Sequence, residues 1–119
     1  MEFELLDERE FKKYLDTLPR RARFDLLALI ESIEDVGMIE AMKKGWVSKI
    51  QKNLYEIRCE TNGLFPRALF FRIKEQYDSS NAEPRYIITN VFSKKTNKTP
   101  KREIAKSLTR MRHYISGRK

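Results

Sequence analysis

The sequence predicts an α+β domain in which two N-terminal helices and one C-terminal helix pack on a curved, four-stranded, mainly antiparallel sheet. Three observations carry this prediction. Apolar residues recur at helical spacing up to about Val36, short runs rich in β-branched and aromatic residues replace that pattern after Gly45, and helical spacing returns behind Pro100. With 119 residues, 40% of them hydrophobic, the chain can fill one packed core and not two, so residues 1–119 are expected to form a single domain.

The first helix is expected from Asp7 to Leu18, where Phe11, Tyr14, Leu15 and Leu18 share a face. Pro19 interrupts it and opens a second helix, with Ala22, Leu26, Leu29 or Ile30, and Ile33 on one side and Gly37 as its stop. Glu31, Glu34 and Asp35 sit at the wrong pole of that helix, because a helix C-terminus favours cations. Met38 to Gly45 reads equally as a further helical turn or as a loop.

Strands are expected at about Trp46 to Gln51, Leu54 to Glu60, Arg67 to Lys74 and Arg85 to Phe92. Asn53 joins the first pair and Thr61-Asn62-Gly63 the second, both able to supply the positive φ of tight connections. A polar connection, Gln76 to Pro84, completes an antiparallel meander. Thr99 as N-cap and Pro100 as first helical residue then open a helix to about Tyr114. Ile104, Leu108, Met111 and Ile115 form its core-facing stripe, while Lys101, Arg102, Lys106, Arg110 and Arg112 occupy the remaining circumference.

The net charge of +8 is unevenly placed. Met1 to Ser93 holds 15 Lys/Arg against 16 Asp/Glu, whereas Lys94 to Lys119 holds 10 basic residues and the single acid Glu103. A local positive field of this kind suits a polyanion, so nucleic acid is the leading partner class; a solvated helix face is the alternative. No run of 18 apolar residues occurs, and the start Met-Glu-Phe-Glu is acidic where a signal peptide is basic and then apolar, so a cytoplasmic protein without a membrane partner is expected. Cys59 is the only cysteine and reads as a small apolar strand residue; neither a zinc cluster nor another cofactor is expected.

Alternation along Leu54 to Glu60 places Glu56, Arg58 and Glu60 on one side of the strand. They read either as a solvated face or as a site in which Arg58 forks onto a phosphate while Glu56 orients it. Arg67 and Arg72 have opposite parity, so one of them shares Arg58's surface, and Arg67, at the mouth of the hairpin, is the better placed. Lys94 and Lys95 follow the last strand and precede a helix N-terminus, where backbone N–H groups attract anions; with the Thr96 and Thr99 hydroxyls they outline a phosphate pocket. His113, the one histidine, lacks the partner that paired-histidine RNA cleavage needs and reads as a capping or solvent-facing residue, and Tyr114 either stacks on a base or finishes the apolar stripe.

Three blocks in order, Ser48-Lys-Ile-Gln-Lys-Asn-Leu-Tyr-Glu-Ile-Arg58, Arg67-Ala-Leu-Phe-Phe71 and Phe92-Ser-Lys-Lys-Thr-Asn-Lys-Thr-Pro-Lys-Arg-Glu-Ile104, resemble the phage-derived HigB-like branch of the RelE/ParE toxins. The similarity runs from about Trp46 to Tyr114, and its last block is the most specific. It implies a RelE-like fold, ribosome-associated cleavage of mRNA, and neutralisation by a cognate antitoxin, often of helix-turn-helix type. By position it implies a catalytic set of Arg58, Arg67, Lys94 and Lys95, with Glu56 and Phe92 helping to build the site; Thr96, Lys98, Lys101 and Arg102 beside it are further candidates for RNA binding or site support. In such toxins the RNA's own 2'-hydroxyl attacks the adjacent phosphate, without a metal. Asn53, Pro66 and Asn90 depart from the usual pattern, in which a Gly, an aromatic residue and a His stand at those places. Two other readings remain at this point: a ParE-like inhibitor of DNA gyrase, and a non-catalytic nucleic-acid-binding module built on the basic helix.

Overall fold

In the computed structural model, which describes residues 1–73, 83–96 and 98–117, the chain runs β1 (Glu2–Leu5), α1 (Glu8–Thr17), α2 (Arg20–Lys43), β2 (Val47–Gln51), β3 (Leu54–Arg58), β4 (Pro66–Arg72), β5 (Arg85–Ser93) and α3 (Lys101–Gly117). The sheet is five-stranded and mixed, in the order β1-β5-β4-β3-β2, rather than four-stranded. The expected meander supplies its four antiparallel strands, and β1 adds a parallel partner to β5, with Glu2 opposite Arg85 and Leu5 opposite Ile88. Only four residues long, β1 gives too short an alternation to read. It is held by one of the acids that suited the second helix poorly: the Glu34 carboxylate accepts from the Phe3 amide at 2.9 Å.

Asp7 caps α1 by accepting from the Glu10 amide at 2.9 Å. Gly37 does adopt the positive φ of a helix stop, at φ 83°, but it kinks α2 instead of ending it. The helix resumes to Lys43 because Ala41 in the following turn is fully buried against β2 and its neighbours. Asn53 takes positive φ in the β2–β3 hairpin and clamps the end of β4, its side chain exchanging two hydrogen bonds with the Arg72 backbone. Asn62 and Gly63 form the β3–β4 turn, both at positive φ. Of the expected polar connection after β4, residues 76–82 lie outside the described residues, as does the predicted strand end at Lys74.

Two layers cover the sheet. On one face Ile57, Ala68, Phe70, Tyr86 and Ile88 pack with Ile33 and Ala41 of α2 and with Phe3 of β1. On the other, Phe71, Ile73 and Ile87 meet Met111 and Tyr114 of α3. The apolar stripe of α3 is thus rotated from its expected line: Ser107 is fully buried, Tyr114 meets the Phe71 ring edge-on, and Ile115 is exposed. Two of its basic residues are also not merely solvated, since Arg110 reaches Glu10 of α1 at 2.8 Å and the Thr89 carbonyl at 2.7 Å, and Lys106 lies 3.5 Å from Glu10. These bonds fix α1 and α3 on β5.

Candidate nucleic-acid interface

Register builds the site. Arg58 on β3 lies opposite Arg67 on β4, and Arg67 lies opposite Phe92 on β5. Directly opposed residues of antiparallel strands share a face, so these three side chains form one row across the sheet. Glu56, two residues before Arg58, is on the same face.

Glu56 is only 2% exposed, and it is not a solvated strand residue. One oxygen accepts the Thr99 hydroxyl at 2.6 Å, and the other stands 3.6 Å from the Lys94 ammonium and 3.8 Å from Arg67 Nε. It therefore organises Lys94 and Arg67, not Arg58. Thr99, expected to cap α3, spends its hydroxyl on Glu56, while the Pro100 carbonyl accepts the first helical hydrogen bonds from Glu103 and Ile104. Lys94, 7% exposed, points inward to Glu56 and Thr99, so the expected pair of emerging ammonium groups is split: Lys95 is exposed and Lys94 is buried.

Arg67 is 3% exposed and fixed by its Nη1, which donates to the Cys59 carbonyl at 2.6 Å and the Pro66 carbonyl at 3.0 Å. Its Nε is buried without a hydrogen-bond partner, because the 3.8 Å approach to Glu56 makes an ion pair but no hydrogen bond. Burial lowers the guanidinium pKa; Glu56 opposes that shift and Arg58 adds to it. Arginine remains charged under such pressure, so the site holds a partly desolvated cation. Phe65, missed in the sequence, presents its ring 5.8 Å from the Arg67 guanidinium, so an aromatic neighbour is present although Pro66 interrupts the usual pattern.

Two adjoining depressions open here. The smaller, about 80 Å³, is lined by Arg58, Glu60, Phe65, Arg67, Lys94, Lys95 and Thr96. The larger, about 480 Å³, lies beyond Arg58, Glu60 and Arg67 and is walled by Asp25, Leu29, Gly45, Trp46 and Cys59. Burial pushes the Cys59 thiol pKa up, with Asp25 adding to the shift, so at neutral pH it is a poor nucleophile. Lys98, Lys101 and Arg102 stay exposed outside both depressions, with Arg102 only 3.8 Å from its neighbour Glu103. Phe92 is half-buried and supports the row through its register with Arg67. Asn90 is buried in a network with Glu103 and Thr89, away from the cationic opening, and His113 is exposed at the far end of α3.

A family model described as "Phage derived protein Gp49-like (DUF891)" matches residues 13–112, from within α1 to within α3. The chain belongs to this Gp49-like family. No curated protein gave a match. The matched span of the Gp49-like domain contains every residue of both depressions.

Of the expected catalytic residues, the Gp49-like fold brings Arg58, Arg67, Lys94 and Lys95 to one opening, as framework and rim. Arg67 and Lys94 are held from behind by Glu56 and Thr99, while Arg58 and Lys95 face solvent. Glu60 was within reach of the sequence, since the alternation that groups Glu56 with Arg58 continues to it. Nothing in the sequence linked Thr99 to Glu56 across 43 positions.

Proposed function

We propose that this protein is the toxin of a type II toxin–antitoxin pair, of the HigB-like branch, and that it is an endoribonuclease cutting mRNA on the ribosome by metal-independent attack of the 2'-hydroxyl. Membership of a phage-derived Gp49-like family supports the toxin part of this reading. The observation that carries the chemistry is the convergence of Arg58, Arg67, Lys94 and Lys95 on one depression. A basic surface for binding alone does not require a guanidinium pre-fixed by two carbonyls. Preorganised charge of this kind suits the stabilisation of charge that develops in a transition state.

In the proposed reaction a phosphodiester sits over the smaller depression. Arg58 and Lys95 engage its non-bridging oxygens from the rim, and Arg67 stabilises the added negative charge from the floor. The 2'-oxygen forms a bond to phosphorus as it loses its proton, and the bond to the 5'-oxygen breaks as that oxygen gains one, leaving a 2',3'-cyclic phosphate and a 5'-hydroxyl. A cognate antitoxin, of helix-turn-helix type by resemblance, would restrain the activity.

Induced expression should arrest growth and create new 5' ends within cellular mRNA. Arg58→Ala, an exposed change, should relieve the arrest with the fold intact, lowering cleavage by about 10²–10³-fold. Unaltered mRNA ends accompanied by changed DNA supercoiling would favour gyrase as the target instead.

A further inference from the structure

The geometry points to the larger depression as a base-recognition subsite in which Glu60 selects guanine beside the scissile phosphate. This inference rests on the ribonuclease reading above. Its starting point is that the two depressions share a wall made of Arg58, Glu60 and Arg67. A chain whose phosphate lies over the smaller one has the neighbouring opening within reach of an attached nucleoside. At about 480 Å³ that opening falls in the range of small-ligand clefts, roughly 300–1,000 Å³.

Its walls suit a nucleobase. Leu29 and Trp46 supply apolar and aromatic surface, as recognition of unstacked RNA bases requires. Two carboxylates line it, and they differ in availability. Asp25 is already committed, accepting from Thr61 at 2.7 Å and from Arg21 at 3.1 and 3.2 Å. Glu60 is exposed, and its carboxylate acts on the Arg67 guanidinium through space without a hydrogen bond or close ion pair among the described residues. An ionised carboxylate accepts hydrogen bonds and donates none. Guanine is the base that presents two adjacent donors on one edge, N1–H and N2–H, and so can meet both oxygens at once. Adenine and cytosine offer a single amino group beside an acceptor nitrogen, and uracil one N–H between two carbonyls, each leaving repulsion against a carboxylate oxygen. The free carboxylate at the wall of the cavity is therefore a guanine reader.

Trp46 is the chain's one tryptophan, so its fluorescence reports on this cavity directly. Titrating the purified full chain with the four nucleoside 3'-monophosphates should give a saturable change, with the guanosine nucleotide bound roughly tenfold more tightly than the others. Glu60→Gln should remove the guanosine preference in favour of adenosine and cytidine, because an amide offers one donor and one acceptor, the pattern both of those bases present. Equal binding of all four nucleotides by the wild type, or an unchanged profile in Glu60→Gln, overturns the inference. With mRNAs bound to ribosomes and differing only in the nucleotides beside the cut, the same variant should reverse the guanine-to-adenine cleavage ratio; a uniform loss of rate with that ratio unchanged overturns it as well. Failure of the wild type to cut mRNA either free or on ribosomes would refute the ribonuclease reading, and the nucleotide titration would still decide the fate of the cavity.

Discussion

The two faces of the same three strands solve different problems. On the α2 side, Ile57, Ala68, Phe70 and Ile88 are sealed by α2 and β1, and the rings of Phe3, Tyr55 and Tyr86 stand 4.9 to 5.6 Å from Phe70 or pack beside it. On the α3 side, the alternate residues Glu56, Arg67 and Asn90 are as deeply buried but polar. The first face is stable because apolar surface leaves water. The second is tolerable only because each charge finds another, and one guanidinium N–H is left over. A dry face holds the strands in place, so that the face behind it can carry desolvated charge.

Substitutions that act on one face and not the other should separate these roles. The largest loss of stability is expected from Phe70→Ala, about 3–5 kcal/mol in chemical denaturation, with activity falling only as the folded population falls. If Phe70→Ala instead lowered the specific activity of fully folded protein, the faces would not be independent. A smaller loss, about 1–3 kcal/mol, is expected from Glu56→Gln, which keeps a carbonyl for Thr99 but removes the charge that Lys94 and Arg67 face. Here cleavage should drop beyond what stability explains, and wild-type rates in this variant would show that Glu56 positions nothing.

Smaller still is the stability effect of Arg58→Ala, within about 0.5 kcal/mol, because Arg58 is exposed. Its large loss of cleavage with a near-constant melting temperature is the sharpest contrast with Phe70. The last test lies at the edge of the larger depression, where the Thr61 hydroxyl holds the Asp25 carboxyl below its ordinary pKa, against the opposing effect of desolvation and with help from Arg21. A carboxyl depressed in the folded state contributes stability above its unfolded pKa, and that contribution is lost as pH falls through the folded value. The melting-temperature gap between wild type and Thr61→Val should therefore close as the solution is acidified through the carboxylate range. A gap that persists at the acid end would exclude this link.

The sequence displayed the dry face well, because burial on one side writes itself as a period of two along a strand and of 3.6 along a helix. It displayed the polar face poorly. The run Ala68 to Phe71 is apolar throughout because α2 covers one side and α3 the other, which erases the alternation that would have identified the wet end. Arg58 and Arg67 could be suspected of sharing a surface from parity, but their direct opposition depends on the Asn62-Gly63 turn. The inward turn of Lys94 depends on Glu56, 38 positions earlier, and no local pattern encodes it. Gly37 shows the converse: its local signal was correct in φ, and tertiary burial of Ala41 overrode the stop.

The parallel pairing of β1 with β5 fixes an order of events. Glu2 finds its partner at Arg85, and Met1 and Phe3 dock on Glu34, so the first strand made during synthesis is among the last to be paired. Pairing of such distant segments is slow, since the intervening chain must be ordered before the contact is rewarded. The opening around Arg67 is likewise incomplete until Lys94 and Thr99 have left the ribosome and folded back on Glu56. A nascent chain that has released only Arg58 and Arg67 therefore carries half of this cationic opening, and the other half is set only when the segment leading into α3 has emerged.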